Sequence, residues 1–557
     1  MSAASAPAPA RPAHGVGGGS GGGALAGLAG ARELTKLAIR RDRIMLPIWI
    51  YALTAISVSG GYALKLVYKT AAGRASLAAS VHSTPALKFL YGQFYGDSLG
   101  ALIAWRYLVY AALGAGLMSI FLVVRHTRAD EETGRLELVG STAVGRHAPL
   151  AVAIAVATTA NLVLFGLSAL VLAVSGLPVT GAIAFGLAEA GCGLAFAGIA
   201  AAAAQVSDTA RGARGIAIAL LGLAFLLRGA GDSGGTHGLG WLSWLSPIGW
   251  AELVRPFAGE RWWVLALPAL MAVAGIGLAY ALAARRDQGA GLLPQRPGRA
   301  TAGQFLAGPA GLSWRLQRGT LAGWSAGFLV GGLAIGVVTK SIGKLVGSSA
   351  GVSKWIDKLG AQAALTNAYL AGCMSLLALV AAAYAVSAVA RLRTDEEAGR
   401  GEPLLAAPVG RLRWGGSHFV TVVIGTAVVL VAGGLGVGLA YGIAISDVST
   451  QVPRLIGAGL AQLPAALVVA AVAAAFVGLL PKWSDAAGWI AVGFCAFIVL
   501  FGPVLNLSQV VLDISPFTHV PKLPGGEISV APLVWLAVIA VVLAIAGLVG
   551  LRRRDIG

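Results

Sequence analysis

The chain has 557 residues, 57% of them hydrophobic and only 11% charged, with a formal net charge of +18. A soluble domain carries about twice that share of charge, and apolar runs of about twenty residues recur along the length. The composition therefore excludes a soluble enzyme and a membrane β-barrel, and implies an all-α polytopic membrane protein. The cations fall in alternate loops rather than on one face, which is an orientation signal and excludes nucleic acid as a partner.

In chain order, residues 1–30 are rich in Ala, Pro and Gly, lack the apolar core of a signal peptide and read as a disordered tail. Length and hydropathy predict six spans near 45–67, 99–124, 148–174, 178–205, 212–229 and 263–284. A linker over 285–311 follows, marked by Arg285, Arg286, Pro294 and Pro297. Six more spans are predicted near 320–340, 362–390, 418–444, 453–480, 486–505 and 531–551, so the chain reads as two six-helix halves, 31–284 and 312–557. Halves of six spans share one orientation, so they are expected to be parallel repeats.

Cations concentrate before the first span (Arg32, Lys36, Arg40, Arg41, Arg43), in the loops after spans two and eight, in the linker and at Arg552–Arg554. The other side holds mainly Lys69, Arg74, Lys88, Lys340, Lys344, Lys354 and Lys358. This asymmetry places both termini in the cytoplasm. Each half opens on a mixed basic and apolar stretch, around Leu34–Arg43 and Leu312–Arg318, suited to an elbow helix lying flat at the interface. Cys192, Cys373 and Cys495 all sit in apolar runs, so neither a disulfide framework nor a metal site is expected.

One charged stretch occurs twice at matching places. Arg128-Ala-Asp130-Glu131-Glu132-Thr-Gly134-Arg135-Leu-Glu137 runs on to Val144-Gly145-Arg146, and Arg393-Thr-Asp395-Glu396-Glu397-Ala-Gly399-Arg400-Gly-Glu402 runs on to Val409-Gly410-Arg411. Roughly half of the aligned positions are identical, which marks an internal duplication. Carboxylates at the start of a short helix are favoured by its dipole, and Gly134 and Gly399 permit a sharp turn. A short charged helix between two spans makes a docking knob for a soluble partner; a lone charge run would read as a solvated turn. Ser207-Asp208 and Ser246-Pro247 in the first half pair with Ser484-Asp485 and Ser515-Pro516 in the second.

Polar residues inside spans are the other candidates. Glu189, near the middle of span four, needs a cavity or a partner, and its counterpart is Gln462. It reads either as part of a substrate path or as a neutral packing group. Asn161 and Asn367 are candidates for the same path but suit interhelical hydrogen bonds, and Arg106 can snorkel toward headgroups. The Gly323, Gly327, Gly331 spacing predicts a close-packing seam. Trp241, Trp244, Trp250, Trp262 and Trp263 suit the outer interface.

With Glu-Glu-x-Gly-Arg-x-Glu and Pro408-Val409-Gly410-Arg411 in place, the chain resembles the permeases of ABC-2-type exporters. It is similar to the fused form found in actinobacterial antibiotic and multidrug exporters of the tetronasin-resistance type. The resemblance implies a permease in the bacterial cell membrane that extrudes small amphiphilic drugs. It implies that two copies of a cytoplasmic ATP-binding subunit dock on coupling helices in the two loops. One docking surface would comprise Asp130, Glu131, Glu132, Gly134, Arg135 and Glu137, and the other Asp395, Glu396, Glu397, Gly399, Arg400 and Glu402. Ala143 stands where the family pattern has proline, and Gly401 and Pro403 replace Leu136 and Leu138 in the second copy.

No Gly-x-x-x-x-Gly-Lys-Ser/Thr stretch occurs, so this chain has no ATP site or cofactor of its own, and ATP with its magnesium would belong to the partner. The alternative is a gradient-driven secondary transporter of major-facilitator type, also with about twelve spans and a charged loop in each half. That motif has Asp before Gly-Arg and then further basic residues, whereas here three acids precede Gly-Arg and a glutamate follows. An intramembrane enzyme would need a His/Glu metal cluster or a Ser/Lys pair in the spans, and neither is present.

Overall fold

The computed structural model describes residues 27–67, 70–83, 85–136, 144–234, 238–286, 291–292, 301, 303, 306, 308–346, 361–397, 399–406, 408–505 and 508–554. The chain divides into two units, Met1–Arg296 and Pro297–Gly557, both helical and without strands among the described residues.

In the first unit α1 (Ala31–Asp42) leads into α2 (Met45–Val67), followed by α3 (Ala71–Ser83), α4 (Pro85–Tyr91), α5 (Leu99–Arg125) and the short α6 (Arg128–Glu132). Then come α7 (Ala148–Val174), α8 (Val179–Val206), α9 (Ala210–Ser233), α10 (Pro247–Leu253) and α11 (Ala266–Ala284). The second unit holds α12 (Pro309–Val346), α13 (Ala361–Glu397), α14 (Gly401–Ala406), α15 (Arg411–Ile445), α16 (Val448–Ala461), α17 (Leu463–Leu479), α18 (Ser484–Leu505), α19 (Gln509–Leu512) and α20 (Val530–Arg553).

Among the described residues 11 helical stretches are long and apolar enough to cross a bilayer, with α16 and α17 forming one of them. The helix α2 occupies the remaining predicted span; its 23 residues rise about 34 Å. Helix starts follow local chemistry. Ser98 Oγ accepts from Ala101 N at 3.0 Å and Thr209 Oγ1 from Gly212 N at 3.0 Å, capping α5 and α9. Ser246 caps α10, with Pro247 in the first turn where a missing N–H costs nothing.

Alanine and glycine let these helices approach closely, as membrane bundles require. In the first unit α8 is the central element, packed on α5, α7 and α11, with Phe185 and Phe196 fully buried on it. Gly198 meets Gly275 backbone to backbone where α8 crosses α11. The second unit repeats this contact between its own fourth and sixth spans, where Gly478 of α17 meets Gly547 of α20.

Four sequence expectations need correction. Residues 27–30 are not tail: Gly145 N donates to Ala29 O at 3.0 Å and His147 N to Gly27 O at 3.1 Å, while residues 1–26 lie outside the described set. The elbow helix forms in the first unit as α1, which a turn at Arg43–Ile44 separates from α2. The matching stretch Leu312–Arg318 instead continues without a break into its span within the 38-residue α12. The first break is held by Asp42, buried between Arg125 (3.2 Å) and His126 (2.5 Å) at the end of α5.

Span ten is two helices that meet at Gln462, because Pro464 cannot donate to the carbonyl of Leu460. The glycine seam of α12 is displaced by one residue. A side chain at Gly323, Gly327 or Gly331 would meet nothing, whereas Gly332 and Gly336 lie against Gly433, Gly436 and Val437 of α15. Small-residue spacing sets how close two helices come, but the facing helix decides which register is used.

Candidate functional site

The first charged loop follows α5. Its turn is made by Gly134, in the left-handed region at φ 68°, whose N–H donates to Glu131 O at 3.0 Å. Gly399 makes the same turn in the second unit at φ 66°, donating to Glu396 O at 2.9 Å. Side chains disfavour this conformation and glycine does not, which accounts for the residue kept in both copies.

The loops are braced in matching ways. Arg286, just beyond α11, grips Glu131 with two nitrogens at 2.6 and 3.1 Å. Arg554, just beyond α20, holds Glu396 at 2.5 Å. The closing arginine of each repeat caps the same helix end. Arg146 donates to Ala283 O and Arg286 O, both at 2.9 Å, and Arg411 donates to Arg554 O at 2.6 Å. In each unit the loop after the second span is therefore tied to the end of the sixth by an acid–arginine pair and by an arginine that donates to the carbonyls there.

The first loop has further ties to its bundle. Buried Arg128 donates to Ala204 O of α8 at 3.0 Å and to Glu131 at 2.6 Å. Arg286 also reaches Gln205 of α8 at 2.7 Å. Glu132 Oε1 accepts from Ala210 N at the start of α9 at 2.9 Å. Asp130 takes Arg41 of α1 at 2.6 Å and Arg135 at 3.5 Å.

The second loop is arranged differently. Asp395, Glu396 and Glu397 end the long α13 instead of starting a short helix, so the helix dipole opposes these carboxylates. Arginines offset it: Arg391 and Arg400 lie 3.1 Å from Asp395, and Arg393 lies 3.2 Å from Glu396 and 3.0 Å from Glu397.

The docking candidates thus divide. Asp130, Glu131, Asp395 and Glu396 face inward and are mostly covered, whereas Glu132, Arg135, Glu397, Gly399, Arg400 and Glu402 are exposed. Gly134 is half-buried, and Glu137 lies outside the described residues. Sequence reading noted Arg128, Arg146 and Arg411 in the repeat but gave them no bracing role, and it took Arg286 and Arg554 for linker and positive-inside charge. The available signal for the last two was an arginine after the last span of each half, which shows its role only when its partner is seen.

Glu189, Asn161 and Gln462 are buried inside their bundles, whereas Asn367 is only half-buried. Glu189 is fully buried and accepts from Ser168 Oγ at 2.8 Å across α7 and α8, while its Oε1 receives no hydrogen bond from the protein. Asn161 donates to Ser119 Oγ of α5 at 2.8 Å, an interhelical bond. Gln462 sits at the break between α16 and α17, 3.5 Å from Ser375 Oγ. Asn367 accepts from Arg454 at 2.9 Å. Arg106 lies over the Tyr91 ring at 3.9 Å, a cation–π contact. The three cysteines are free and buried, and no metal-binding group occurs among the described residues.

A charged cluster absent from the sequence expectations lies at the opposite end of the first unit. Arg228, fully buried in α9, reaches Glu252 of α10 at 3.2 Å and Asp232 at 3.6 Å. Ser243 Oγ donates to Asp232 at 2.8 Å. Burial, and then Asp232 beside it, pushes the Glu252 carboxyl well above the usual carboxylate range. Trp244 and Trp263 stack beyond it with ring centroids 5.7 Å apart.

Residues 306–552 match the family model described as the C-terminal domain of the multidrug efflux system permease Rv1217c. Over 532 residues the chain is 41% identical to the multidrug efflux system permease protein Rv1217c of Mycobacterium tuberculosis (strain ATCC 25618 / H37Rv), covering 95% of this chain and 96% of that protein. Likeness of this extent embraces both units and both charged loops, and the chain belongs to the ABC-2-type efflux permease family.

Proposed function

We propose that this protein is the membrane-spanning subunit of an ATP-driven exporter of amphiphilic antibiotics or drugs. Separate ATP-binding subunits dock on the two charged loops, from the cytoplasmic side of a bacterial cell membrane. The relative's name as a multidrug efflux system permease supports the transport class. The observation that carries the docking assignment is the duplicated brace. Each loop presents charged groups outward (Glu132 and Arg135; Glu397, Arg400 and Glu402) while Glu131 and Glu396 anchor it to the end of the sixth span. A surface that is pushed must be joined stiffly to what it moves, and a short charged turn held by an arginine at the end of a span is such a joint.

Closure of the ATPase pair would displace the loops and, through Glu131–Arg286 and Glu396–Arg554, the sixth spans. The chain itself does no covalent chemistry in this reading. Glu189, Asn161, Gln462 and Asn367 are, in this reading, the candidate polar groups of a substrate route, acting through helix contacts.

The test spares the braces. Glu397→Lys and Glu402→Lys together reverse two exposed acids of the second loop and leave Asp395 and Glu396 with their arginines. The double variant should co-purify with one fewer ATP-binding subunit and lose drug efflux while keeping membrane insertion. Transport by proteoliposomes of the purified chain alone, driven by an imposed proton gradient, would overturn the proposal in favour of a secondary transporter.

A further inference from the structure

Two cavities of the first unit lie along one face of α7. The first, of about 470 Å³, has Leu34, Leu37, Pro149 and Val152 among its lining and Arg40, Arg41, Arg135 and Asp130 around it. The second, of about 730 Å³, is a groove between α2 and α7 lined by Leu46, Ile50, Tyr51, Val163, Leu167 and Val171. Pro149, Val152, Val163, Leu167 and Val171 recur at helical spacing, so the α7 side of both cavities is one stripe. Tyr51 and Leu167 leave the groove side-on to the surroundings, at 76% and 38% exposure.

The charge at the first cavity is unbalanced. Arg41 and Arg135 share the one carboxylate of Asp130, and Arg40 stands exposed beside them, which leaves two positive charges in excess among the described lining residues. His126, also in the lining, is engaged by buried Asp42. The helix that carries Arg40 and Arg41 has interfacial character, since Leu37 and Ile39 are more than half exposed on it.

We infer that this site binds one anionic glycerophospholipid, its phosphodiester held among Arg40, Arg41 and Arg135 and an acyl chain laid in the groove between α2 and α7. Guanidinium forks match phosphate oxygens, and the excess charge selects an anionic headgroup over a zwitterionic one. An acyl chain suits a groove that is apolar and open on its lipid side. The bound lipid bridges α1 to the charged loop through Arg41 and Arg135, both partners of Asp130, so bilayer composition would adjust the stiffness of the first docking loop. The inference needs no ATP-binding partner, and its test is independent of transport.

The experiment is native mass spectrometry of the purified full-length chain in detergent, titrated with phosphatidylglycerol, phosphatidylcholine and glycerol 3-phosphate. Phosphatidylglycerol should bind about tenfold more tightly than phosphatidylcholine. Arg40→Gln with Arg135→Gln should erase that preference, and Arg40→Gln alone, which keeps the Asp130 contacts, should reduce it several-fold. Leu167→Trp, which fills the groove, should weaken both lipids while preserving the preference, and glycerol 3-phosphate should not compete. Equal binding of the two lipids, a preference that survives the double variant, or glycerol 3-phosphate competing as well as the lipid would each overturn the site.

Discussion

The two ends of the first unit treat charge in opposite ways. At the loop end the ion pairs Glu131–Arg286 and Asp130–Arg41 have counterparts or exposed neighbours, and the second unit repeats the arrangement with Glu396–Arg554. At the far end Arg228, Asp232 and Glu252 are buried together. The second unit has nothing like this cluster there among its described residues. Its α18 carries only Asp485, and Asp513, His519, Lys522 and Glu527 of the following loop are exposed. In the proposed reading the duplicated end meets a repeated partner, while the unrepeated end would be free to diverge. A machine driven in that way from two equivalent places need not be symmetric at its far end.

The contrast can be broken most sharply at Arg228. Arg228→Ala strips the cation from two buried carboxyls and should cost about 3 kcal/mol of unfolding free energy, after partial relief by protonation. Thermal unfolding of the purified chain reads this, and Asp513→Ala, at an exposed position, should cost under about 0.5 kcal/mol. Comparable losses would erase the distinction between the far ends.

A smaller effect sharpens the symmetric side. A double-mutant cycle on Glu131→Gln and Arg286→Gln should give a coupling of about 1–2 kcal/mol, and Glu396→Gln with Arg554→Gln should give the same within error. A large coupling in one unit and none in the other would show that the brace is not shared. Smallest of all, Gly134→Ala and Gly399→Ala should each cost about 1 kcal/mol. Both have open space around a new methyl group, so only the backbone conformation is at stake, and the two costs should match.

Much of this was legible in the sequence, for identifiable reasons. A span is about twenty consecutive apolar residues, a local property, so helix limits such as Met45–Val67 and Ala148–Val174 could be read directly. The turn glycines were legible because duplication marked them. Partners far apart in the chain were not: Arg286 lies 155 residues from Glu131 and Arg554 lies 158 from Glu396. Charges beyond a span look alike whether they orient the chain or clasp a loop. The Arg228 cluster was hidden because its members come from α9 and α10, outside any repeated motif, and a basic residue near a span end reads as a headgroup contact. The elbow of the second unit failed for a related reason, since composition cannot tell a helix that turns onto the interface from one that runs straight through it.

The break at Gln462 has a mechanical consequence. A continuous helix of that length behaves as a strut, whereas α16 and α17 are two rods meeting at a joint, with Pro464 removing one bond of the ladder. The fourth span of the second unit can therefore flex near its middle while α17 stays locked to α20 through Gly478 and Gly547. Its counterpart α8 is unbroken and has no such freedom, so the two halves would yield unequally under the same load.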